Sequence, residues 1–198
     1  MTKTKKRLLF ISIVILVSLV LSFAIISHFA PKPMLHGDYP YYPEVKDIVE
    51  ASDIIIVGEV ITDKNVEELM VDKTPNKTDK ETIPYTISTI KISVVVKGNV
   101  HAGDTITVKQ LGDYRNRPEE TLYEMDGYLK KGTEQLVFLC EYADSPYSPV
   151  NPAQGIVEVR DGYLYSNNRF SLFGFSSSSK ESTDTLSNAI ETINEFVD

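Results

Sequence analysis

The stretch IPYTISTIKISVVVKG, residues 83–98, decides the fold class of this chain. β-branched residues dominate it, and such side chains fit the pleated, half-buried surface of a strand. Its alternation places every second residue from Ile90 to Val96 on one face, whereas Tyr85 falls in the opposite phase. A change of phase within one strand indicates an inserted residue. We therefore predict one long strand with a bulge near residues 88–89.

Shorter strand signals lie on both sides of this stretch. The run DIIIVGEVI (53–61) is apolar on both faces in its first half, and Gly58 suits a bend or bulge. The run IVEVRDGYLY (156–165) predicts a hairpin, because Asp161 and Gly162 are typical of a two-residue type I′ turn. Two further strands are predicted at TITVKQL (105–111) and EQLVFLCEY (134–142).

Two helices are predicted, one at each end of this group of strands. Residues 44–52 carry apolar side chains at positions i, i+3 and i+4, which form one face of a short helix. The C-terminal stretch STDTLSNAIETINEFVD (182–198) is amphipathic, and Ser182, Thr183 or Asp184 is expected to cap it. Its apolar stripe either docks on the chain's own sheet or binds a partner.

The charged residues 62–82 contain few large apolar side chains, and we expect an excursion there with at most one helical turn, at Val66, Leu69 and Met70. A parallel α/β sheet would need a helix between successive strands, and no such helices are predicted. The fold class expected is therefore mainly β with two helices. Its five or six strands would form a small closed or half-closed, OB-like β-barrel, with the C-terminal amphipathic helix packed on it.

Charge divides the chain into unlike parts. The whole chain of 198 residues has 20 Lys and Arg against 28 Asp and Glu, a net charge of −8. Residues 1–7 hold four of the cations and residues 8–26 hold no charge, so residues 31–198 keep 16 cations against 28 acids, a net of −12. An acidic body is unsuited to the phosphate backbone, so no nucleic-acid partner is expected.

The uncharged segment Leu8–Ile26 has the length of a membrane span. Its 19 residues would reach about 28 Å as a helix, close to the thickness of a bilayer's hydrocarbon core. Cations on its N-terminal side predict a cytoplasmic N-terminus and an extracytoplasmic body. The lipid bilayer is thus an expected partner, through a retained single-pass anchor; a cleaved signal peptide is the alternative.

Four segments follow from this division. We predict a cytoplasmic basic tip (1–7), a transmembrane anchor or signal segment (8–28), a Pro/Tyr spacer (29–43) and an extracytoplasmic barrel-like domain (44–198). The spacer is assigned because proline fixes φ and donates no hydrogen bond, which favours an extended chain.

Three stretches together resemble netrin/TIMP-like OB-fold modules, namely ASDIIIVGEV (51–60), STIKISVVVKGN (88–99) and LKKGTEQLVFLCEY (129–142). Their order, with a strand similar to GDTITVKQLG (103–112) between the last two, resembles that of bacterial membrane-anchored proteins. The resemblance implies a five-stranded barrel used for protein binding and, in some members, for protease inhibition. The inhibitory members use an N-terminal cysteine and several disulfides. This chain has one cysteine, Cys140, within a predicted strand, so the inhibitory mechanism does not carry over.

Catalytic and metal-binding patterns are weak in this sequence. Of the three histidines, His101 lies in a predicted hairpin turn where a solvated side chain is ordinary, and Cys140 reads as a small core residue. Ser177 and Lys180 match a Ser-x-x-Lys pattern within a polar run that makes the match uninformative. No histidine or cysteine spacing suits zinc. We expect neither an enzyme, nor a cofactor, nor a metal.

The acidic loop 113–126 is the one stretch whose residues would suit catalysis or metal binding. It carries five carboxylates, at Asp113, Glu119, Glu120, Glu124 and Asp126. These residues would serve an envelope hydrolase or transferase, or a weak calcium site, or would simply be solvated.

An aromatic and asparagine-rich set of residues is the predicted binding surface, because tyrosine supplies large contact area at low entropic cost. The alternative is that its aromatic residues pack in or beside the core. The function expected is that of a non-enzymatic, extracytoplasmic binding domain of a Gram-positive-like bacterium, with an envelope protein or component as partner. The set comprises Tyr147, Asn151, Tyr163, Tyr165, Asn167, Asn168 and Phe170.

Overall fold

The computed structural model describes residues 39–62, 65–71, 81–116, 127–165 and 181–197, together with Ser18 and Phe173. The chain divides into two compact units, Met1–Met34 and Leu35–Asp198. In the first unit only Ser18 is described, so the predicted span Leu8–Ile26 otherwise lies outside the described residues. Among those that are described, no helix is both long enough and apolar enough to cross a membrane.

The described part of the second unit is mainly β with two helices, as predicted. Its elements follow one another along the chain as α1 (Val45–Ala51), β1 (Ile54–Val60), β2 (Asn65–Val71), β3 (Glu81–Lys97), β4 (Thr105–Leu111), β5 (Glu134–Cys140), β6 (Ser148–Pro149), β7 (Ile156–Arg160), β8 (Tyr163–Tyr165), β9 (Glu181–Thr185) and α2 (Leu186–Asn194). A short 3-10 turn, Tyr114–Asn116, follows β4.

All named strands belong to one sheet whose path is β2-β3-β1-β5-β7-β8-β9, and its strand pairs are antiparallel. The long strand β3 organises half of it. Its first part, from Glu81 to Ile87, pairs with β2, and its last part, from Ile90 to Lys97, pairs with β1. The middle of β3 pairs with β4 on the opposite edge. The stretch that decided the fold class thus contacts three strands.

The prediction of a closed barrel is wrong, because the path of the sheet is open and ends at β2 and β9. Strand β4 meets the segment after β5 through one isolated parallel bridge, Val108 with Tyr147. The neighbouring strand β6 has only two residues, and its second, Pro149, has no N–H to extend a ladder. The prolines of residues 144–155 therefore prevent a full strand at this position.

The bulge in β3 lies elsewhere than predicted. Pairing of β3 with β4 is regular through Ser88 and Thr89, whereas the β1–β3 register shifts twice, skipping Ser93 and Val96 of β3. One of these shifts lies beside Gly58, which confirms the irregularity expected there. The segment predicted to hold one helical turn is also different, because it forms strand β2 against β3.

The core has two parts, one on each face of the central strands. One face of β1 and β5 packs with both helices, and the other packs with β3, β4 and Leu129. The apolar character of β1 on both faces is therefore confirmed. In α2, Ala189 and Ile193 are fully buried in the first cluster, so this helix docks on its own sheet. Its cap is Thr185, whose hydroxyl accepts from the Asn188 amide, and not one of the three residues predicted.

Candidate functional site

The two described tyrosines of strand β8 lie on one face of it, with the fully buried Leu164 between them. Tyr163 is 53% exposed, and the ring of Tyr165 lies 3.5 Å below the guanidinium carbon of Arg160. Both carboxylate oxygens of Glu158 accept hydrogen bonds from Arg160, at 2.7 and 2.9 Å. Hydrogen bonding to Glu158 raises the pKa of Arg160. The positive charge of Arg160 is therefore neutralised by the carboxylate of Glu158.

Tyr165 and Glu158 also line a shallow groove beside β5 and β7. Its other polar lining residues are Tyr128, Lys130, Thr133 and Gln135. Gln135 is buried and donates to the Thr133 hydroxyl at 2.8 Å. Glu158 is paired with Arg160, so its carboxylate is already engaged where it lines the groove.

Asn151 is engaged in holding the chain together. Its side-chain oxygen accepts from the amides of Ala153 and Gln154, at 2.7 and 3.0 Å, which closes an Asx-type turn. Its side-chain nitrogen donates to the Pro40 carbonyl at 2.8 Å, and the residue is 8% exposed. Asn167, Asn168 and Phe170, the rest of the predicted set apart from Tyr147, lie outside the described residues.

Tyr147 lies at a different part of the sheet from Tyr163 and Tyr165, because its backbone bonds to β4. Its N–H donates to the Thr107 carbonyl, and its carbonyl accepts from Lys109 N–H. Burial raises the pKa of Tyr147, and the nearby Glu141 carboxylate raises it further. Of the predicted surface, Tyr147 is thus fixed beside β4 by backbone bonds that include one to Lys109, whereas Tyr163 and Tyr165 lie on β8 and Asn151 is held in its own turn.

A lysine–tyrosine site, which sequence reasoning did not find, lies where the segment after β5 meets β4. It comprises Tyr85, Lys109, Tyr142, Ser145 and Ser148. The Lys109 ammonium nitrogen lies 4.1 Å from the ring centroid of Tyr142 and 5.6 Å from that of Tyr85. It donates a 2.6 Å hydrogen bond to Ser145 Oγ, while Ser148 Oγ donates to the Tyr142 hydroxyl at 3.0 Å.

Three chain segments position this site. Tyr85 and Lys109 lie on one face of the β3–β4 ladder, two residues apart in register, because Tyr85 pairs with Leu111. Ser145 and Ser148 flank Tyr147, whose backbone bridge fixes the crossing segment beside β4. Tyr142 was predicted to continue the strand, but β5 ends at Cys140 and Tyr142 is 46% exposed.

The charge of Lys109 is partly desolvated and lacks an acidic partner among the described residues. Burial lowers the pKa of Lys109, and burial likewise raises the pKa of Tyr85, with Tyr142 adding to it. Two cation–π contacts stabilise the ammonium form. The arrangement can therefore hold a group that accepts hydrogen bonds and carries negative charge.

Two other candidate residues from the sequence, His101 and Cys140, lie within the described part of the chain. His101 is mostly exposed, with its Nδ1 3.5 Å from an Asp104 oxygen. Burial, with a smaller effect of Asp53, raises the pKa of the Cys140 thiol, which disfavours the reactive thiolate. No cluster of three or more metal-ligating side chains occurs within the described ranges.

Asp113 is the only described member of the five carboxylates proposed for chemistry. Arg115 donates to both of its oxygens, each at 2.9 Å, so this carboxylate is held in a local ion pair. Glu119, Glu120, Glu124 and Asp126 lie outside the described residues.

Compared with models of known protein families, the chain matches none, and no curated protein is similar enough to count as a relative. Its function is therefore inferred from the sequence pattern and the geometry of the site.

Proposed function

We propose that this chain is a non-enzymatic, extracytoplasmic binding domain that contacts a protein or another envelope component through the lysine–tyrosine site. One observation carries the proposal, the half-buried Lys109 cation beside the exposed ring of Tyr142. Tyrosine is enriched in binding surfaces, and an unneutralised cation gives such a surface a preference among ligands. A half-closed, OB-like arrangement of the sheet, as in netrin/TIMP-like modules, belongs to the same proposal.

The location of the domain rests on the sequence of the first 26 residues. Cations before the apolar segment Leu8–Ile26 favour a retained anchor with the body outside a bacterial membrane, whereas a cleaved signal would release a secreted protein. A cysteine placed in the spacer by Met34→Cys, in a Cys140→Ala background, should react with an impermeant maleimide on intact cells. Labelling only after lysis would overturn this topology, and recovery in the medium would indicate cleavage.

Binding is tested with the full-length protein in lipid nanodiscs, exposed to isolated envelope material and monitored by biolayer interferometry. Tyr142→Ser should weaken saturable binding at least fivefold, because the substitution removes the exposed ring. Tyr163→Ser is the matched control, since it removes an exposed tyrosine of strand β8 outside the site. Equal losses in both variants, or no saturable binding by the native chain, would count against the site.

One contact favours a second function, that of a serine hydrolase or acyltransferase. Ser145 Oγ lies 2.6 Å from Lys109 Nζ, and burial lowers the pKa of this lysine, as a serine–lysine pair requires. The same ammonium lies 4.1 Å from the Tyr142 ring centroid, a contact that stabilises the protonated form. A general base must be neutral, so the binding function is the better supported of the two.

A fluorophosphonate probe separates these functions. Covalent labelling that disappears in Ser145→Ala would establish a nucleophilic serine, whereas an unlabelled native chain would leave binding as the proposed function. The earlier alternative, an envelope hydrolase or transferase using the 113–126 carboxylates, predicts instead that Asp113→Asn abolishes hydrolysis of envelope polymer.

A further inference from the structure

The lysine–tyrosine site contains a surplus of hydrogen-bond donors. A lysine ammonium has three N–H donors and no acceptor. One of those of Lys109 is directed at Ser145 Oγ, and a face of the ammonium is directed at the Tyr142 ring. Because Ser145 accepts from the lysine, its own O–H stays available to a second acceptor. A ligand with acceptor oxygens would therefore meet two adjacent donors, the Lys109 ammonium and the Ser145 hydroxyl.

Partial burial makes an acceptor more favourable here than at an exposed lysine. Charge that is removed from water without a partner raises the free energy of the folded chain. Within the described part of the chain, no carboxylate lies within ion-pair distance of Lys109, and burial lowers its pKa. An incoming anion would restore the missing interaction in surroundings that screen charge less than water does.

We propose that the lysine–tyrosine site is a receptor for a single oxyanion, a carboxylate or phosphate group borne by the ligand, held between Lys109 Nζ and Ser145 Oγ. This inference rests on the proposed function and names the chemical class of its ligand. The paired oxygens of such a group match two neighbouring donors, and charge-assisted hydrogen bonds are the stronger kind. The rings of Tyr85 and Tyr142 flank the ammonium and contact the neutral part of the ligand.

The charge of the whole body limits the ligand further. Residues 31–198 carry a net charge of −12, so a ligand with many negative charges is repelled before it reaches the site. A ligand with one anionic group on a largely neutral body avoids most of that repulsion. The site is accordingly assigned to such a ligand.

The experiment uses the full-length, isotopically labelled protein in neutral phosphatidylcholine nanodiscs. Sodium acetate and inorganic phosphate are titrated at constant ionic strength, with sodium chloride as the reference. The backbone amide resonances of Thr107, Lys109 and Tyr147 should shift saturably with either oxyanion and not with chloride. Equal shifts with chloride would show general screening and would overturn the proposal.

Variants identify the donors. Lys109→Gln should weaken oxyanion binding at least tenfold, Ser145→Ala about threefold, and Lys109→Arg less than Lys109→Gln because the charge is kept. Lys91→Gln is the matched control, an exposed lysine on the same face of β3 that should change affinity less than twofold. A well-dispersed spectrum of Lys109→Gln shows that it is folded, and native affinity in this variant would overturn the proposal.

A second arm separates the sources of the oxyanion. Shifts caused by soluble acetate or phosphate in neutral nanodiscs identify a group carried by a soluble ligand or partner. Shifts that occur only when phosphatidylserine is included identify a lipid headgroup. If neither source causes shifts while Tyr142→Ser still weakens envelope binding at least fivefold, the oxyanion class is overturned and the proposed function stands.

Discussion

Gln154 shows how a single buried side chain fixes two distant segments together. Its side-chain oxygen accepts from Tyr42 N–H at 2.9 Å, and its nitrogen donates to the Tyr42 carbonyl at 2.7 Å. The side chain thus pairs with the backbone as a neighbouring strand would, and Tyr42 itself packs against the first core cluster. The last residues assigned to the proline spacer are therefore bound to the domain.

Replacement of Gln154 by leucine is expected to destabilise the fold by about 2 kcal/mol, because two backbone groups of Tyr42 lose their partners. Urea unfolding of the native and variant chains measures the free energy of unfolding. Gln135→Leu is the control, since Gln135 is similarly buried but, within the part of the chain that the structure describes, its side chain bonds to another side chain, that of Thr133. Equal effects of the two substitutions would show that burial, and not backbone pairing, determines the loss.

Thr86 and Ser88 carry buried hydroxyl groups on the same face of β3. Removal of these two hydroxyls should have opposite effects on the stability of the fold. Thr86 Oγ1 donates to the Gly112 carbonyl at 2.8 Å and accepts from Tyr114 N–H, whereas the buried Ser88 Oγ has no hydrogen-bond partner among the described residues. Thr86→Val should therefore cost about 1–3 kcal/mol, and Ser88→Ala should leave stability unchanged or raise it. Thermal unfolding of both variants compares them, and a loss in Ser88→Ala would contradict this account.

At the scale of elements, close approach of β1 and β3 explains the irregular pairing between them. A Cβ atom at Gly58 would lie 2.5 Å from the Lys91 carbonyl oxygen and 2.6 Å from Ile90 Cγ2. The register shift beside this glycine changes the phase of β3, so that Ile92 and Val95, three residues apart, pack in the same core cluster. Without such a shift, residues three apart on a strand lie on opposite faces.

Gly58→Ala is predicted to destabilise the fold by about 1–3 kcal/mol, because the added methyl group meets backbone atoms that cannot move aside cheaply. Gly103→Ala provides a comparison, since φ is 97° there but the added Cβ meets nothing within 4 Å. That variant should lose about 1 kcal/mol from backbone conformation alone. Chemical denaturation measures both, and a harmless Gly58→Ala would contradict the close approach.

For the whole molecule, the shifted pKa values predict how stability changes at alkaline pH. Burial raises the pKa values of Cys140, Tyr42, Tyr85 and Tyr147, so the folded chain holds these protons more tightly than the unfolded chain. Their contribution to stability is complete below the unfolded values, about 8.5 for cysteine and about 10 for tyrosine, and is lost as pH rises through the folded values. The lowered pKa of Lys109 acts in the opposite direction.

The free energy of unfolding should therefore decline as pH rises above about 8.5, first through Cys140 and then through the tyrosines. Cys140→Ala should make the first part of the decline shallower, and Lys109→Gln should make the decline steeper by removing the opposing contribution. Urea unfolding between pH 7 and pH 11 provides the measurement. An unchanged slope in Cys140→Ala would show that the thiol pKa is not raised in the folded chain.

Much of the local structure was predictable because its causes are local. The Asp161-Gly162 turn has positive φ at both residues, 51° and 80°, as the type I′ prediction requires. Strand β1 is buried on both faces, and α2 docks through the apolar stripe read from its sequence. Each was predicted from residues a few positions apart, although the pattern of α2 left open whether its stripe docks on the sheet or binds a partner.

The candidate site was not predictable in the same way, because its members come together only through pairing between distant segments. Lys109 and Ser145 are 36 residues apart, and an isolated backbone bridge at Tyr147 brings them into contact. Tyr142 belongs to the site because β5 ends at Cys140, two residues earlier than its apolar run implied. No local sequence pattern predicts the contact between Lys109 and Ser145 or the end of β5 at Cys140.

The sequence by itself determined the mainly β fold class, both described helices, the acidic body and the expected position of an anchor, since composition and short-range periodicity express these directly. Only the tertiary structure decided that the sheet is open, that residues 65–71 form a strand, and that a lysine, two tyrosines and two serines meet at one place. The physical reason is that register, bulge position and strand neighbours are set by hydrogen bonds and packing between residues far apart in the chain.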